Sequence, residues 1–487
     1  MGTRASRRAA VAAAAACATA LAGGLALAAP ANAAAVPAAP FDFNGDGKRD
    51  LAIGSPDASV ATQAGAGLVT IVYSDANGPN TAQRRVISQY GAAVPDEPEA
   101  GDKFGRDLDS ADFDLDGFAD LVIGVPGETL DGVDRAGMVI VAHGSPTGFS
   151  DFVAIRDSTE HGSARMGESL TAGDIDNDGR ADITVSSPGS QWLTIWSFTP
   201  PEGSGAKTAS RPTRVPLPWR TTVKPQAIGA EFHEVDSGDI FGDAGEEVAL
   251  LWRDEQGGDP FEQGAVALMY FDGTEITWTE PIITTGHSLE VGNLDGAARP
   301  ELAVGQYSDA GHRGGQITIW QPGTAPTYLT GARRINQDST GIPGVGETGD
   351  RFGQSLAIGD ADNDGRGDLA VGVPGEDLPG GADAGAVVFL YGSASAPDTA
   401  RTWAINQETS NIPGGSEASD RFGHGVSVLD FTTDGKSELT VGSAGENGTE
   451  GLVTLLRGGL TSVGARAFGP QAVGVTTTAR LGSTLGH

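Results

Sequence analysis

The chain is almost free of cysteine, because Cys17 is the only one among its 487 residues. A disulfide framework is therefore excluded, and stabilising cross-links must come from packing or bound metal. Basic residues are also scarce, with 31 Lys and Arg against 64 Asp and Glu, for a formal charge of −33. That sign argues against nucleic acid or an anionic membrane surface as partner. No later stretch is apolar and long enough to span a bilayer.

The first 33 residues have the pattern of a secretory signal peptide. Three arginines near the start precede an Ala-rich apolar stretch from Ala9 to Ala29, and residues 31–33 (Ala-Asn-Ala) offer a cleavage site. An uncleaved membrane anchor is the alternative, but the weak hydrophobicity of the stretch favours cleavage. We therefore expect an exported protein cut near Ala33, with residues 34–40 as a short linker and residues 41–487 as the folded domain.

The most abundant pattern in the chain is a repeated acidic phrase of nine residues. It reads DFNGDGKRD from Asp42, DFDLDGFAD from Asp112, DIDNDGRAD from Asp174 and DADNDGRGD from Asp360. A short strand-like run follows each copy. Oxygen-bearing side chains occupy positions one, three, five and nine, and Gly stands at position six. This pattern suits Ca²⁺, which takes about 6–8 oxygen ligands and needs a tight turn around it.

We predict one calcium site in each of these four copies, with the seventh residue contributing a backbone carbonyl. The ligand sets are Asp42, Asn44, Asp46, Lys48 and Asp50; Asp112, Asp114, Asp116, Phe118 and Asp120; Asp174, Asp176, Asp178, Arg180 and Asp182; and Asp360, Asp362, Asp364, Arg366 and Asp368. The alternative is an Asp-rich turn whose carboxylates only accept backbone N–H groups. Repulsion among packed carboxylates disfavours that alternative.

Degraded versions of the phrase bring the number of copies to seven. Their starts lie at 239, 293 and 430, and successive copies are 54 to 70 residues apart. The last copy is a candidate fifth calcium site, formed by Asp430, Thr432, Asp434, Lys436 and Glu438. The copies at Asp239 and Asn293 have lost donor positions or the Gly, so we expect them to be metal-free turns.

Each full copy contains four strand-sized pieces. In the sixth copy these are the phrase around Phe352, Leu369–Val373, Ala386–Tyr391 and a more polar strand that begins within Trp403–Asn406. Seven such units predict an all-β fold, a seven-bladed β-propeller with four antiparallel strands in each blade. The alternatives are a β-solenoid, which has shorter periods, and a string of separate sandwiches. Linkers of equal length also recur, at Ile87–Gly105, Ile335–Gly353 and Ile405–Gly423.

The two ends of the chain complement each other. The first copy begins in its acidic loop at Asp42 and lacks the strand that precedes the loop elsewhere, whereas Ala479–Gly486 (ARLGSTLG) looks like that strand with Leu in place of Phe. We predict that the N- and C-terminal strands pair in one blade and close the ring, which removes an exposed sheet edge. A frayed tail is the alternative.

The combined motif resembles a known repeat. Phe104-Gly105, Phe352-Gly353 and Phe422-Gly423 each lead through an acidic loop to a Val/Ile-Gly-x-Pro or similar phrase. This is similar to FG-GAP repeats, which build the seven-bladed propeller head of integrin α subunits. Met166 and Leu481 replace the Phe in two copies, but no ligand position is affected. The resemblance implies Ca²⁺ between the first and second strands of several blades, all on one face.

Other short patterns carry less weight. Arg366-Gly367-Asp368 spells a tripeptide that integrins bind, but Asp368 is the ninth residue of its loop and is expected to face the metal. The histidines lack metal spacing or an evident partner, and His424 is expected to pack or to face the channel. The basic, Pro-rich segment Ser197–Lys224 could recognise an acidic glycan, or be a solvated linker.

No catalytic or organic-cofactor site emerges from the sequence. We expect a monomeric, secreted, calcium-stabilised propeller that acts as a binding or adhesion module for a cell-surface or extracellular protein or glycan. Its binding face would lie opposite the calcium loops and include Gly127–Gly137 and Gly375–Gly385. The main alternative is an extracellular hydrolase or lyase, such as an esterase, phospholipase or polysaccharide-degrading enzyme, with a site in the channel. A channel-lining cluster of carboxylates or histidines would favour it; a purely structural coat role is a third possibility.

Overall fold

Strands and tight turns make up almost all of the chain that the structure describes. The computed structural model describes residues 36–91, 93–157, 162–190, 192–198, 213–216, 230–243, 245–254, 263–309, 311–325, 327–395, 397–475 and 478–487. The predicted signal peptide and most of the basic segment Ser197–Lys224 lie outside these residues. Helical structure in the described part amounts to single turns at Glu446–Thr449 and Pro470–Val473.

The strands form seven antiparallel sheets, which are the blades of a β-propeller. The first three blades contain β1 (Leu51–Ser55), β2 (Leu68–Asp75) and β3 (Gly78–Ile87); β4 (Leu108–Ala111), β5 (Asp120–Val125), β6 (Met138–His143) and β7 (Asp151–Ile155); and β8 (Leu170–Gly173), β9 (Asp182–Ser186), β10 (Trp192–Trp196) and β11 (Thr213–Pro216). The fourth blade contains β12 (Ala230–Gly238), β13 (Glu247–Asp254), β14 (Gln263–Phe271), β15 (Ile276–Trp278) and the extra strand β16 (Ile282–Ile283).

The remaining blades follow the same order. They contain β17 (Ser288–Gly292), β18 (Glu301–Gln306), β19 (Gln316–Pro322) and β20 (Leu329–Ile335); β21 (Leu356–Gly359), β22 (Asp368–Val373), β23 (Ala386–Tyr391) and β24 (Asp398–Ile405); and β25 (Phe422–Leu429), β26 (Glu438–Ser443), β27 (Leu452–Arg457) and β28 (Thr461–Phe468). The predicted all-β, seven-bladed propeller is thus confirmed.

The last strand, β29 (Thr484–Leu485), completes the first blade. It pairs antiparallel with β1, with Leu485 opposite Ile53 and Thr484 opposite Gly54. The main-chain nitrogen of Gly486 donates to the carbonyl oxygen of Ala52 at 3.0 Å. The predicted ring closure is therefore confirmed, and the first blade has no unpaired inner edge.

Burial differs between the strands of a blade, and this difference explains why the start of one fourth strand was predicted wrongly. The second and third strands are packed on both faces, as in β22, whose six residues are all buried. The fourth strand is an outer strand with mixed exposure, so its polar start carried no clear apolar signal. It covers Asp398–Ile405 and therefore begins before Trp403, where the sequence had placed its start.

The Phe and Gly of each FG phrase form the junction between neighbouring blades. Phe104, Phe352 and Phe422 are fully buried, and each forms a parallel bridge to a Gly of the preceding blade. Met166 and Leu481 make the same bridge in the two substituted copies. The Gly that follows Phe packs against the Gly of the preceding blade's Gly-x-Pro phrase so closely that a Cβ on Gly372 would overlap the carbonyl oxygen of Gly423.

The repeated linkers are anchored by pairs of Gln and Glu. Gln89 Nε2 donates to Glu128 Oε2 at 2.5 Å, and the pairs Gln337–Glu376 and Gln407–Glu446 repeat this contact at 2.6 Å. In each case the Glu lies just after the second strand of the blade that the linker enters. The recurrence of Gln in the linkers thus reflects a buried polar clamp.

We predict that Gly372→Ala destabilises the protein, because the added methyl group must push two blades apart. Overpacking of this kind costs about 1–3 kcal/mol, which a lowered thermal unfolding midpoint would report. Gly415→Ala is the matched control, since a Cβ there meets nothing within 4 Å. Equal stability of the two variants would contradict the close blade junction.

We also predict that stability falls as pH rises toward mildly basic values. Burial raises the pKa of Glu128 to about 8, with the Asp102 carboxyl acting in the same direction. In the unfolded chain the pKa of Glu is about 4.3. The folded state therefore holds a proton that unfolding releases, and the free energy of unfolding declines from about pH 4 to about pH 8.

Glu128→Gln removes this ionisation while keeping an acceptor for Gln89. We expect the decline in unfolding midpoint between about pH 5 and about pH 8 to become shallower. Glu97→Gln, at an exposed position, serves as the control and should keep the wild-type slope. A variant slope identical to wild type would show that Glu128 titrates normally.

Candidate functional site

The propeller has two chemically different faces. The acidic loop joins the first strand to the second, as between Ala111 and Asp120 in the second blade, except in the first blade, where it leads into β1 and the first strand is the C-terminal β29. The FG phrase precedes the first strand, and the connection from second to third strand lies at the same end. We call the side with residues 112–119 and their equivalents the loop face, and the side with Phe104-Gly105 and their equivalents the FG face.

The first carboxylate of each intact phrase shapes its loop. Asp42 Oδ1 accepts a hydrogen bond from the main-chain N–H of Asp46 at 3.0 Å, and Oδ2 accepts one from Gly47 at 2.9 Å. In the other intact copies, Asp112, Asp174 and Asp360 accept the same two main-chain hydrogen bonds at 2.8–3.1 Å. The Gly has a φ of 82° to 90° in the four loops, a conformation that disfavours any side chain.

The ninth carboxylate ties the loop to the end of the third strand. Asp50 Oδ1 accepts from Ser74 N at 2.9 Å, and Asp120 and Asp368 accept from Gly144 and Gly392 at 2.8 Å. These carboxylates are buried. Burial raises the pKa of Asp50 to about 8 and that of Asp368 to about 6. A nearby cation would offset the burial and favour the ionised form.

Further oxygens converge on the same loops. Within the described residues, three carboxylates have oxygens within 4.8 Å of one another in the second, third and sixth copies: Asp112, Asp114 and Asp116; Asp174, Asp176 and Asp182; and Asp360, Asp362 and Asp368. Asp50 Oδ2, Asp176 Oδ1 and Asp362 Oδ1 are buried without a donor among the described residues. Buried oxygens without a partner are costly, and a hard cation would satisfy them. These loops therefore fit Ca²⁺.

The seventh residues turn their main-chain N–H toward the fifth carboxylate. Lys48, Phe118, Arg180 and Arg366 each donate to the fifth Asp at 3.0–3.1 Å. This contact explains how such different side chains can share one position. Their predicted carbonyl ligation stays a prediction.

The seventh copy keeps these main-chain contacts, since Asp430 accepts from Asp434 N and Gly435 N, Lys436 N donates to Asp434, and Gly458 N donates to Glu438. In the seventh copy, Glu438 Oε2 accepts from Phe431 N at 2.8 Å, and Thr432 Oγ1 donates to Glu438 Oε1 at 3.3 Å. The fourth and fifth copies keep only part of the arrangement. In these two copies, Asp239 and Asn293 accept main-chain N–H groups of their own turns. Whether these three loops bind metal stays a prediction.

The sequence missed a histidine beside the second loop. His143 is fully buried, and its Nδ1 lies 3.3 Å from Asp120 Oδ1 and 3.9 Å from Asp114 Oδ2. The statement that no histidine has an evident partner was therefore wrong. His143 lies 23 residues beyond Asp120 at the end of β6, so only the fold brings them together. A nitrogen donor distinguishes this loop from the others.

Titratable side chains line the central channel, a cavity of about 370 Å³ surrounded by residues of all seven blades. They include Asp107, Glu168, Glu234, His287, His424 and His487. His487 Nε2 lies 3.2 Å from Glu290 Oε2. Burial raises the pKa of Glu234 to about 8, and the Asp107 carboxyl acts in the same direction. A channel-lining cluster of this kind is what was expected to favour an enzyme.

Several of the channel carboxylates also have a structural role. Asp107 and Asp109 accept main-chain N–H groups of the third blade, from Leu170 at 2.9 Å and Ala172 at 2.7 Å. Asp236 accepts from Val291, and Glu290 from Ile358, in the same way. These contacts join neighbouring inner strands, so these four carboxylates also take part in assembly of the ring.

A second cavity, of about 520 Å³, opens beside the channel on the FG face. It is lined by Lys103, Arg106, Arg135, Arg165 and Arg480 together with Asp57, Glu168 and His424. Residues of the first, second, third and seventh blades therefore contribute to one concave surface. Gly127 and Arg135, within the expected binding segment Gly127–Gly137, are among its lining residues.

The Arg-Gly-Asp tripeptide does not present its carboxylate at the surface. Asp368 is 1% exposed, and its two oxygens accept from Gly392 N and Ala361 N. This burial is consistent with the expectation that Asp368 serves its own loop and not adhesion.

Comparisons with known proteins point to one repeat family. The FG-GAP repeat model matches residues 34–72, 104–141, 166–205 and 352–390. Human phosphatidylinositol-glycan-specific phospholipase D is 37% identical over 94 residues, which cover 19% of this chain and 11% of that protein. The rat enzyme of the same name is 31% identical over 148 residues, which cover 30% and 17%. Integrin alpha-PS2 of Drosophila melanogaster is 31% identical over 175 residues, which cover 34% and 10%.

The matched regions thus span less than a fifth of the length of these relatives. Among solved structures, the Dos1 propeller aligns with 82% of this chain and 77% of its own, at 9% identity and a TM-score of 0.40. Within the described residues, no helix has the length and apolarity to cross a membrane. The chain carries four FG-GAP repeats in a seven-bladed β-propeller, and parts of it are similar to integrin alpha-PS2 and to phosphatidylinositol-glycan-specific phospholipase D.

Proposed function

We propose that this protein is an exported, calcium-stabilised propeller that binds an extracellular protein or glycan through its FG face. The N-terminal segment supports export, and the cysteine-free chain after it needs another source of cross-links. The cavity of about 520 Å³ on the FG face carries the proposal, because concave sites of about 300–1,000 Å³ are the usual size for ligand binding.

The calcium ions would act as structural cross-links on the opposite face. They would be held in the four intact loops by Asp42, Asp112, Asp174 and Asp360 with the other residues of each phrase. Each ion would neutralise carboxylates that are packed together and would join the first strand of a blade to its second and third strands. Catalysis by the ions is not part of this proposal, since the loops lie away from both cavities.

We predict that calcium raises the thermal unfolding midpoint and that EDTA lowers it. A ligand present at about 100 times its dissociation constant stabilises the native state by about 2.7 kcal/mol per site. Asp364→Asn, at position five of an intact loop, should reduce the calcium-dependent shift. Asp243→Asn, at the corresponding position of the degraded fourth copy, should leave it unchanged. A midpoint that is the same with calcium and with EDTA would refute structural calcium.

Binding through the FG face can be tested by blocking one face at a time. Because the chain has no cysteine after Cys17, a single introduced cysteine can carry a bulky maleimide polymer. Asp131→Cys places the polymer on the exposed connection between β5 and β6, on the FG face, and Ala76→Cys places it between β2 and β3, on the loop face.

We expect a glycan or extracellular protein found by array screening to lose binding when the Asp131→Cys variant is labelled. The labelled Ala76→Cys variant should keep its binding. The reverse pattern would assign binding to the loop face and overturn the proposal. Absence of any ligand in calcium-containing screens of glycans and matrix proteins would also overturn it.

A second candidate function has one specific observation in its favour. A carboxyl group whose pKa is about 8, such as Glu234 in the channel, is suited to act as a general acid near neutral pH. Two relatives are named as phospholipases, although they match over less than a fifth of their length. Turnover of a chromogenic ester, phosphodiester or polysaccharide that is abolished by Glu234→Gln would replace the binding proposal with an enzymatic one.

A further inference from the structure

We propose that the mouth of the channel on the FG face binds an acidic saccharide through its carboxylate or sulfate groups. The inference rests on the proposed function and gives it a ligand class. It comes from one repeated position, the residue immediately before the Phe of the FG phrase. That position is basic in five of the seven copies: Lys103, Arg165, Arg351, Arg421 and Arg480.

These five residues, which we call the basic rim, share one backbone conformation. Their φ values are 62°, 56°, 63°, 57° and 46°, in the left-handed region that residues with a side chain seldom adopt. Each one directly precedes the buried Phe, Met or Leu of its blade junction. The conformation turns the chain so that the Phe enters the core while the preceding side chain stays at the surface.

The blade junctions hold the basic rim in place. The main-chain nitrogens of Lys103, Arg165 and Arg480 donate to Gly65 O, Arg135 O and Thr449 O of the preceding blade at 3.0–3.1 Å. The Arg421 nitrogen makes the equivalent bond to Asp383 O. Because the backbone is fixed from both sides, these cations are presented at defined positions and not on free loops, which lowers the ordering cost of binding.

Nearby acids only partly neutralise the cavity. Asp57 is shared by Lys103, at 2.5 Å, and Arg480, at 3.2 Å. Glu168 is shared by Arg106, at 3.0 Å, and Arg165, at 3.9 Å. Arg135 pairs with Asp134 at 3.4 Å, and Asp134 is not a lining residue. Among the lining residues, five cations face two carboxylates. This surplus of positive charge stands out in a chain whose formal charge is −33.

The acids that directly precede rim residues do not cancel this surplus. Asp102, Asp350 and Asp420 directly precede rim residues, but they are only 1–2% exposed. Each accepts the main-chain N–H of the residue three positions earlier, at 2.5–2.6 Å. Arg351 and Arg421 have no acidic partner among the described residues and do not line the cavity of about 520 Å³. Arg351 lines the channel, and Arg421 lies beside His424, whose main-chain nitrogen donates to Arg421 O at 3.0 Å.

His424, which lines both cavities, lies close to the same surplus of positive charge. Burial is the largest cause that lowers its pKa, to about 4, and the guanidinium groups of Arg421, Arg480 and Arg106 lower it further. A neutral imidazole at the mouth can therefore donate or accept a hydrogen bond without adding charge. Such a group suits the hydroxyls of a sugar, while the arginines suit its acidic groups.

The size and surroundings of the mouth favour a short ligand. A cavity of about 520 Å³ holds a small saccharide, and the strongly acidic remainder of the protein would repel a long polyanion such as nucleic acid. A terminal or short acidic saccharide meets the positive surplus without crossing the acidic surface. The same repulsion disfavours an acidic protein surface as the partner.

The test uses calorimetric titration of the full protein in calcium with four probes. These are an unsulfated disaccharide that contains glucuronic acid, its sulfated form, the neutral disaccharide lactose, and inorganic sulfate. We expect both acidic disaccharides to bind, more weakly at high salt, and lactose to bind at least about tenfold more weakly, which is about 1.4 kcal/mol.

Arg165→Gln and Arg421→Gln should each reduce affinity for the sulfated disaccharide several-fold. Arg421→Gln removes a cation without breaking an ion pair, so it stays informative if Arg165→Gln misfolds. Arg334→Gln, which removes an exposed cation on the outer strand β20, is the matched control and should bind as wild type does. Unchanged affinity in both rim variants would overturn the basic rim as the site.

The other outcomes separate this inference from the proposed function. Equal binding of lactose would refute the acidic ligand class while a binding function survives. Inorganic sulfate binding as tightly as the sulfated disaccharide would assign the site to a free oxyanion and not to a saccharide. Recognition of an extracellular protein through the FG face, without binding of any probe, would also refute the inference but keep the function. If no ligand of any class binds, the acidic-saccharide inference and the proposed binding function are both refuted.

Discussion

The contact on which the structure depends is the close approach of two glycines, which is found within the described residues at five of the seven blade junctions. The Gly of an FG phrase lies against the Gly of the preceding blade's Gly-x-Pro phrase, as for Gly423 and Gly372, with no room for a side chain. The adjacent Phe fills the core between the blades. Because the ring closes through the same contact, between Gly482 and Gly442, the junction sets the spacing of the whole propeller.

That junction also separates two kinds of charge. The residue before the Phe is left at the FG face, where it is basic in five copies, and the strand that follows the Gly runs to the acidic loop on the other face. In the phrase from Asp420 to Gly423, the Asp caps the linker, the Arg reaches the rim, the Phe packs in the core and the Gly makes the junction. A single repeated phrase thus fixes architecture and places functional groups.

The sequence predicted the fold well because the repeat recurs seven times, so the strand assignment made in one copy could be checked against the others. Blade number, strand order and ring closure by Ala479–Gly486 were all predicted from it. The start of β24 was misplaced, since an outer strand has little apolar pattern. The channel cluster could not be predicted, because its residues come from all seven blades and meet only after the ring closes. The contact of His143 with Asp120 could not be predicted either, because it depends on the pairing of β5 with β6. The basic rim was visible in the sequence as a Lys or Arg before the Phe, Met or Leu of five copies, but its role depends on the cavity.

Calcium in the acidic loops can be tested directly by anomalous diffraction from crystals grown with calcium. Anomalous peaks are expected within the loops that begin at Asp42, Asp112, Asp174 and Asp360, and no peak in the loops that begin at Asp239 and Asn293. Peaks missing from the four intact loops would contradict the proposal that the acidic phrase binds a structural calcium ion. Peaks of equal height in all seven loops would show that the loss of donor positions does not matter.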